Sequence, residues 1–284
     1  LSVDVQGLYD GHGLLRRHVG VEAQEIQDIY RGLHDYAASP DNFAPEVRAA
    51  IAAMPGAFPA LTRQMVWCQV DFISDLPGKN ARRRGLGGGG LSTQALAQLI
   101  QDAQDRIVIQ SPYLVLSDEA MDLLRKTLAR GVSVRISTNS LASTDNLQAF
   151  SGYRNQRRKL LDLGMAIHEY KPDPEVQRQL LLRHTATRDP APVFALHAKT
   201  LVVDGKRVYI GTFNLDPRSE NLNTEVGVIM HDPALAQAVE AAIETDMLPG
   251  NSWNAASDRP DQYAGFAKRN KVRFWQLLPI KPLL

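Results

Sequence analysis

LHAKTLVVDG, residues 196–205, is the stretch of sequence that decides the fold of this chain. Its Leu-Val-Val run favours a β-strand, and Asp204-Gly205 is typical of a tight hairpin turn. Arg207 to Phe213 is then predicted to form the returning strand. Because side chains alternate along a strand, His197 and Lys199 are expected on one face, about 7 Å apart. A gap of this size can hold one phosphate, although spacing alone also fits a surface hairpin with two unrelated polar residues.

The residues around this hairpin extend it to a longer motif. His197-x-Lys199-x4-Asp204, followed by Gly211-x2-Asn214 and by Glu225, resembles the H-x-K-x4-D signature of the phospholipase D superfamily. Further segments resemble the C-terminal half of a bacterial cardiolipin synthase that carries two such motifs: Asp75-Leu76-Pro77-Gly78-Lys79, Ser111-Pro112-Tyr113, Thr138-Asn139-Ser140-Leu141 with Asp145, Asn214 to Ser219, Asn223-Thr224-Glu225 and Leu278-Pro279-Ile280. The resemblance runs from about Met65 to the end, and the first H-x-K half of such an enzyme is absent.

The resemblance implies a set of site residues. They are His197, Lys199, Asp204 and Glu225 as the catalytic motif, and Asn214, Thr212 and Arg218 as substrate-binding residues. In the resembled family two H-x-K motifs converge, so that one histidine attacks phosphorus to form a phosphohistidine and the other protonates the leaving alcohol. The histidine of the second motif usually has the acid/base role, which the resemblance gives to His197. Asp204 sits at the turn, so we expect it to fix the hairpin rather than to transfer a proton.

The other motif residues have supporting roles by the same resemblance. Lys199 and Asn214 are expected to bind the phosphate oxygens, one as a point charge and the other as a hydrogen-bond donor. Thr212 stands where the family often has serine and keeps the hydroxyl group. Glu225 matches the family carboxylate that orients the histidine, and we expect it to hydrogen-bond the His197 ring and raise its basicity.

Composition narrows the class of protein. With 284 residues the chain is long enough for one large domain or two small ones, and its formal net charge of +1 argues against a nucleic-acid partner. Basic clusters at 82–84, 157–159 and 268–273 fit either an anionic membrane surface or a solvated face. No apolar run is long enough to span a membrane, and no signal peptide is recognised. Because the first residue is Leu1, an upstream segment is expected.

Two regions are predicted. Residues 1–64 are read as a helical inter-lobe linker, in which one helix covers 21–38 and a second ends at Pro55-Gly56. Residues 65–284 are read as one phospholipase D-like catalytic lobe that carries the single motif. Its first stretch, 65–73, is apolar enough to be part of the core.

The lobe has a regular α/β pattern. Ser92 and Ser117 can cap two helices, with a strand expected between them at 106–113, and Asp232 can cap a later helix. Strand, helix and strand at this spacing form a βαβ unit with parallel pairing. The predicted fold class is therefore α/β, an α/β/α sandwich with a mixed sheet as in phospholipase D-like proteins, with the N-terminal helices packed outside it. Ser111-Pro112-Tyr113 and Thr138-Asn139-Ser140 fall where strands end, at the edge where such sheets bind ligands.

The remaining ionisable residues add no second site. None of the other histidines has a lysine two residues on: His12, His18, His34, His168, His184 and His231. Clusters of His, Asp and Glu at metal-ligand spacing are absent from the sequence. We therefore predict neither a metal ion nor another cofactor.

We interpret the chain as a phosphatidyltransferase or phosphodiesterase, the second half of a two-motif cardiolipin synthase that acts through a phosphohistidine. The expected substrate is phosphatidylglycerol or a related phospholipid, and the expected location is the bacterial cytoplasmic membrane, bound peripherally. The missing N-terminal half or a second copy of the chain would be the partner. One alternative is a one-motif homodimeric phospholipase or nuclease, which the N-terminal helices and the small net charge disfavour. Another is a non-catalytic lipid-binding or partner-binding module, which the intact motif disfavours.

Overall fold

The structure is a computed structural model, and it describes residues 23–38, 45–63, 65–79, 89–176 and 193–284. The chain divides into two compact units, Leu1–Met65 and Val66–Leu284. The linker role of the first unit and its packing against the second stay predictions. Within the described ranges, no helix is both long enough and apolar enough to cross a bilayer.

The helices and strands follow one another along the chain in a mostly alternating order. The first unit contains α1 (Ala23–Ala38) and α2 (Pro45–Arg63). The second unit contains β1 (Val70–Ser74), α3 (Leu91–Asp102), β2 (Arg106–Gln110), α4 (Asp118–Ala129), β3 (Ser133–Asn139), α5 (Leu147–Asp162), β4 (Ala166–Tyr170), β5 (Thr200–Val203), β6 (Arg207–Gly211), α6 (Pro217–Asn221), β7 (Val226–Met230), α7 (Pro233–Met247), β8 (Ser252–Asn254) and α8 (Phe266–Gln276). Short 3-10 helices cover Pro260–Tyr263 and Lys281–Leu283.

The strands of the second unit form one mixed sheet in the order β1-β7-β6-β5-β2-β3-β4-β8. Its centre is parallel, because β2 pairs with β3 and β3 with β4 across the crossover helices α4 and α5. The β5–β6 hairpin adds to this centre in antiparallel register, with Leu201 opposite both Ile109 and Tyr209. Helices cover both faces of the sheet, so the predicted α/β/α sandwich with a mixed sheet is confirmed.

The two faces of the sheet have separate cores. Leu201 and Val203 point into the larger core, which they share with residues of α3, α4 and α5. Val202, between them, points to the opposite face and packs with Ala236 and Ile243 of α7. This alternation is what a strand buried on both sides requires.

Two of the three predicted helix caps are confirmed. The Ser117 hydroxyl accepts a hydrogen bond from the Ala120 amide, and the Asp232 carboxylate accepts one from the Leu235 amide. The cap predicted at Ser92 is wrong, because α3 begins two residues earlier, after Gly90. Ser92 lies inside the helix instead, and its hydroxyl donates to the carbonyl oxygen of Glu225, the residue before β7.

Three further predictions are corrected by the structure. The stretch 65–73 was expected in the core, but Trp67 is 86 % exposed and Phe72 is 72 % exposed. Here β1 is an edge strand, and an apolar run without a clear period does not tell an edge strand from a buried one. Helix α2 was expected to end at Pro55-Gly56, yet it continues to Arg63 with two prolines inside it. The strand expected at 106–113 ends at Gln110.

Asp204 fixes the hairpin to the rest of the sheet, as its position at the turn predicted. Its backbone has φ of 55°, in the left-handed region that Asp tolerates better than most residues. Its carboxylate accepts hydrogen bonds from the backbone amides of Gln104, Asp105 and Arg106, the closest at 2.8 Å and 3.0 Å. Burial alone raises the pKa of Asp204, but these amides outweigh it and hold the pKa below its ordinary value.

We predict that Asp204→Ala lowers the free energy of unfolding by about 1–2 kcal/mol at neutral pH, because three amides lose a charged acceptor. Since the folded-state pKa is depressed, this stabilisation is present above the unfolded pKa of about 3.9 and is lost as pH falls through the folded value. Urea unfolding at neutral and acidic pH measures both effects. Asp204→Asn, which keeps one acceptor oxygen, should lose less. An Ala variant as stable as the parent at neutral pH would contradict this role.

Candidate active site

Most of the predicted site residues meet at one end of the sheet. His197 and Lys199 immediately precede β5, Thr212 immediately follows β6, and Glu225 immediately precedes β7. Because β5, β6 and β7 are successive antiparallel neighbours, these three positions lie at the same edge. The Gly211 amide donates to the Lys199 carbonyl oxygen at 3.1 Å, and the Thr212 amide donates to the Val226 carbonyl oxygen at 2.8 Å. Asp204 lies at the opposite end of β5, away from this site.

The segment that carries His197 is held by the end of β3, which lies next but one to β5 in the sheet. Asn139, which is almost fully buried, accepts a hydrogen bond from the Leu196 amide at 2.8 Å. The Asn139 side chain also donates to the Leu196 carbonyl oxygen at 2.9 Å. These two hydrogen bonds fix the backbone one residue before His197. The side chain of His197 is exposed at the surface. The Thr138-Asn139-Ser140 segment thus has a structural role next to the motif.

Lys199 is a partly desolvated cation at the same edge. Its ammonium donates to the His197 carbonyl oxygen at 2.9 Å. Burial lowers the pKa of the Lys199 ammonium below its ordinary value, and the nearby carboxylates of Glu225 and Asp216 only partly oppose this shift. A cation in this setting attracts an anion more strongly than one in bulk water does, because solvent screens it less.

Glu225 is buried, and the structure gives its carboxylate a different partner from the expected one. The Thr212 hydroxyl donates to Glu225 Oε2 and accepts from the Val226 amide at 3.0 Å. Within the described residues, no hydrogen bond joins Glu225 to the His197 ring. Thr212 therefore orients this carboxylate, and the expected contact between Glu225 and the His197 ring stays a prediction.

Packing explains the glycine of the signature. A Cβ atom at Gly211 would overlap the Tyr209 hydroxyl and the Val226 carbonyl oxygen. Only glycine lets β6 pass this close to β7, and this approach brings Thr212 within reach of Glu225.

Asn214 is held from both sides by loop contacts. Its backbone amide donates to the Ser219 hydroxyl at 3.1 Å, and the backbone amide of Leu215 donates to the Ser111 hydroxyl at 3.2 Å. The side-chain oxygen of Asn214 is buried and has no hydrogen-bond partner among the described residues. A buried polar atom without a partner carries a desolvation cost.

A cavity of about 510 Å³ opens beside this asparagine. Its polar lining includes Asn214 and Arg218, and its apolar lining includes Trp275 and Ile280. The Arg218 guanidinium is exposed and forms neither a hydrogen bond nor an ion pair with any residue that the structure describes. Tyr113 also lines the cavity, and burial together with Asp145 raises its pKa to about 12. The cavity is therefore lined both by a cation without an ion-pair partner among the described residues and by apolar side chains.

The structure adds two residues for which the sequence suggested no role. The Asp75 carboxylate accepts hydrogen bonds from the amides of Ser92 at 2.9 Å and Glu225 at 3.0 Å. The Lys79 ammonium contacts the Asp75 carboxylate at 2.8 Å. The Lys79 side chain is 2 % exposed and the Asp75 side chain is 0 % exposed. Burial alone raises the pKa of Asp75, but Lys79 and the amides outweigh it and hold the pKa below its ordinary value.

Lys79 also contacts α6 and the loop that follows it. Its ammonium also donates to the carbonyl oxygens of Ser219 at 2.7 Å and Asn223 at 3.1 Å. Since Ser219 accepts from the Asn214 backbone amide, the Asp75–Lys79 pair supports the C-terminal side of the loop that carries Asn214. The resemblance of segment 75–79 to the cardiolipin synthase half pointed to these residues, but it did not indicate which residues they contact.

The other histidines in the described ranges lie elsewhere. His231 pairs with Asp71 at 2.7 Å at the far end of β7, and His168 is a half-buried residue of β4 whose pKa burial lowers. His12, His18 and His184 fall outside the described residues. Among residues 23–38, 45–63, 65–79, 89–176 and 193–284, no group of three or more His, Cys, Asp or Glu side chains is arranged to hold a metal ion.

Comparison with known protein families agrees with the motif. Residues 96–247 match the family model described as "Cardiolipin synthase, PLD-like domain". Cardiolipin synthase C of Escherichia coli strain K12 is 33 % identical over 244 residues, which are 78 % of this chain and 50 % of that protein. Cardiolipin synthase A of Pseudomonas aeruginosa strain LESB58 is 30 % identical over 149 residues, 52 % of this chain and 26 % of that protein. The chain thus spans at most half the length of these relatives.

The fold agrees with a solved structure. Phosphatidylserine synthase of Haemophilus influenzae Rd KW20 superposes with a TM-score of 0.51 at 18 % sequence identity, covering 76 % of this chain and 48 % of that chain. At this identity the likeness concerns the fold alone.

We predict that Lys79→Met lowers the free energy of unfolding by about 3–5 kcal/mol, because it leaves the Asp75 carboxylate buried and uncompensated. Lys126→Met is the matched control: Lys126 pairs with Asp122 at 2.7 Å, but both side chains are largely exposed, so its loss should destabilise the chain far less than Lys79→Met does. Urea unfolding of both variants gives the comparison. Equal losses in the two variants would show that the buried pair does not hold the site.

Proposed function

Because this chain belongs to the family of cardiolipin synthases with a phospholipase D-like domain, we propose that it supplies one half of an active site for phosphatidyl transfer. The observation that carries the proposal is the meeting of His197, Lys199 and Asn214 at one edge of the sheet. An imidazole, a cation and an amide are the groups that a phosphodiester needs for proton transfer, charge neutralisation and orientation. Backbone hydrogen bonds hold the segments that carry His197 and Asn214 to the buried residues Asn139 and Ser219.

The reaction needs two histidines. In the first step one imidazole nitrogen forms a bond to phosphorus while the bond from phosphorus to the leaving alcohol oxygen breaks, and a second imidazole gives that oxygen its proton. In the second step the acceptor alcohol gives its proton to the second imidazole and attacks phosphorus, which releases the first histidine. An unprotonated alkoxide is a very poor leaving group, so the proton donor is required. A single imidazole cannot occupy both sides of an in-line displacement.

His197 is proposed as the proton donor and acceptor of this pair. The nucleophile would then come from a second H-x-K lobe. The chain spans half the length of its E. coli relative, which supports the view that such a lobe belongs to the complete enzyme. A second copy of this chain could supply the same group in a homodimer.

The proposed substrate is phosphatidylglycerol or a related phospholipid, as both phosphatidyl donor and alcohol acceptor. Lys199 and Asn214 would bind the phosphate that reacts. Arg218, whose guanidinium lines the cavity, would bind the phosphate of the second lipid, and the apolar side chains of Trp275 and Ile280 would contact its acyl part. The proposed location is the bacterial cytoplasmic membrane, where both lipids are found.

We predict that the purified monomeric chain transfers no phosphatidyl group, since loss of a positioned acid/base group costs about 10²–10⁴-fold and loss of the nucleophile costs more. The assay uses labelled phosphatidylglycerol dispersed in detergent, with the chain alone and with the half of the E. coli relative that this chain does not cover. Transfer is expected only with the added lobe, and His197→Ala should abolish it.

Light scattering under the assay conditions separates the remaining outcomes. Turnover by a monomer of this chain alone would refute the two-lobe proposal. Turnover by a homodimer that is lost in His197→Ala would assign the second histidine to another copy of the chain.

A further inference from the structure

Helix α8, Phe266–Gln276, turns an apolar stripe toward solvent. Phe266 is 72 % exposed, Phe274 is 59 % exposed and Leu277, just after the helix, is 83 % exposed. With 3.6 residues per turn, these three positions and Asn270 fall within an arc of about 80°. A helix on the surface of a soluble protein usually points such a stripe to the core.

The rotation of α8 about its own axis is set by the contacts of its opposite face. Val272 is fully buried. The Lys268 ammonium donates to the carbonyl oxygens of Ala142 at 3.0 Å and Thr144 at 2.8 Å. Near the other end, Gln276 accepts from Arg154 at 3.0 Å. Because both ends of the inner face are tied to the body of the lobe, the apolar stripe has to face outward.

Cations border this stripe on both sides. Lys271 lies at one edge and Arg273 at the other, and both are exposed. The eleven residues of α8 contain four basic residues and no acidic one, although the whole chain has a formal net charge of only +1. An apolar stripe between cations is the arrangement of a helix that lies in the interface of an anionic bilayer.

We propose that the outer face of α8 is a docking surface for an anionic lipid bilayer. The stripe of Phe266, Phe274 and Leu277 would enter the boundary between head groups and acyl chains, while Lys271 and Arg273 contact the anionic head groups. The inner side of the same helix carries Trp275, which lines the cavity beside Asn214. This continuity favours a membrane over a second protein copy, because a lipid that leaves the bilayer at α8 is next to the cavity.

The choice of a bilayer as the occupant rests on the proposed lipid substrate, but docking can be measured without catalysis. The purified chain is mixed with vesicles of dioleoylphosphatidylglycerol and dioleoylphosphatidylcholine, or with vesicles of dioleoylphosphatidylcholine alone, and bound protein is separated by flotation. Binding is expected to the anionic vesicles and to weaken with added salt, because the charges that attract α8 to the surface are screened.

Two double variants test the two parts of the surface. Phe274→Ser/Leu277→Ser removes apolar area, and Lys271→Glu/Arg273→Glu reverses the bordering charges. Each should weaken binding to anionic vesicles by about tenfold or more. The matched controls are Leu248→Ser, an exposed leucine at the end of α7, and Lys206→Glu, an exposed cation in the β5–β6 turn. Both controls should bind like the parent.

The outcomes separate this proposal from the proposed reaction. If the docking proposal alone fails, the α8 variants bind vesicles like the parent, or the parent does not bind them at all. If the reaction alone fails, transfer from detergent-dispersed substrate is absent while vesicle binding still depends on α8 and persists in His197→Ala. A parent chain that is dimeric in solution and becomes monomeric in Phe274→Ser/Leu277→Ser would overturn the membrane assignment in favour of a second copy.

Discussion

The buried carboxylate of Asp75 is the interaction on which the arrangement of the site depends. It ties together the end of β1, the first turn of α3 and the residue before β7, segments separated by up to 150 positions. A buried carboxylate is tolerated only when it is paired, so Lys79 is required with it. Lys79 in turn holds the loop next to Asn214. A charge pair outside the signature thus fixes the backbone of the residues that the signature contains.

The mixed sheet explains why the site forms where it does. The parallel strands β2 and β3 end at one edge, and Asn139 at the end of β3 fixes the backbone before His197. The antiparallel hairpin β5–β6 pairs with β2, so its open end lies at the same edge and brings Lys199 and Thr212 there. Neither a purely parallel sheet nor an isolated hairpin would place these residues together. The chemistry therefore depends on where the two kinds of pairing meet.

The sequence predicted what local patterns encode. Alternation of strand and helix from Ser92 onward indicated the βαβ units, and Ser117 could be recognised as a cap because it immediately precedes a helical pattern. The same reasoning placed Ser92 at a cap, but its hydroxyl contacts the Glu225 carbonyl oxygen, a partner 133 residues away. Contacts between distant residues, such as this one and those of the Asp75 carboxylate, produce no periodic pattern in the sequence. The exposed edge strand β1 was wrongly predicted to lie in the core for a related reason. The hydrophobicity of a strand does not show whether it has one neighbouring strand or two.

The central claim is that this chain by itself forms half of a phosphate-binding site. It is tested most directly by titrating the chain with inorganic phosphate and following the His197 ring by ¹H–¹⁵N NMR. The account predicts a saturable shift of the His197 signals that is lost in Lys199→Ala and in Asn214→Ala, while His231 at the far end of β7 does not respond. Unchanged His197 signals, or a shift that persists in both variants, would contradict it.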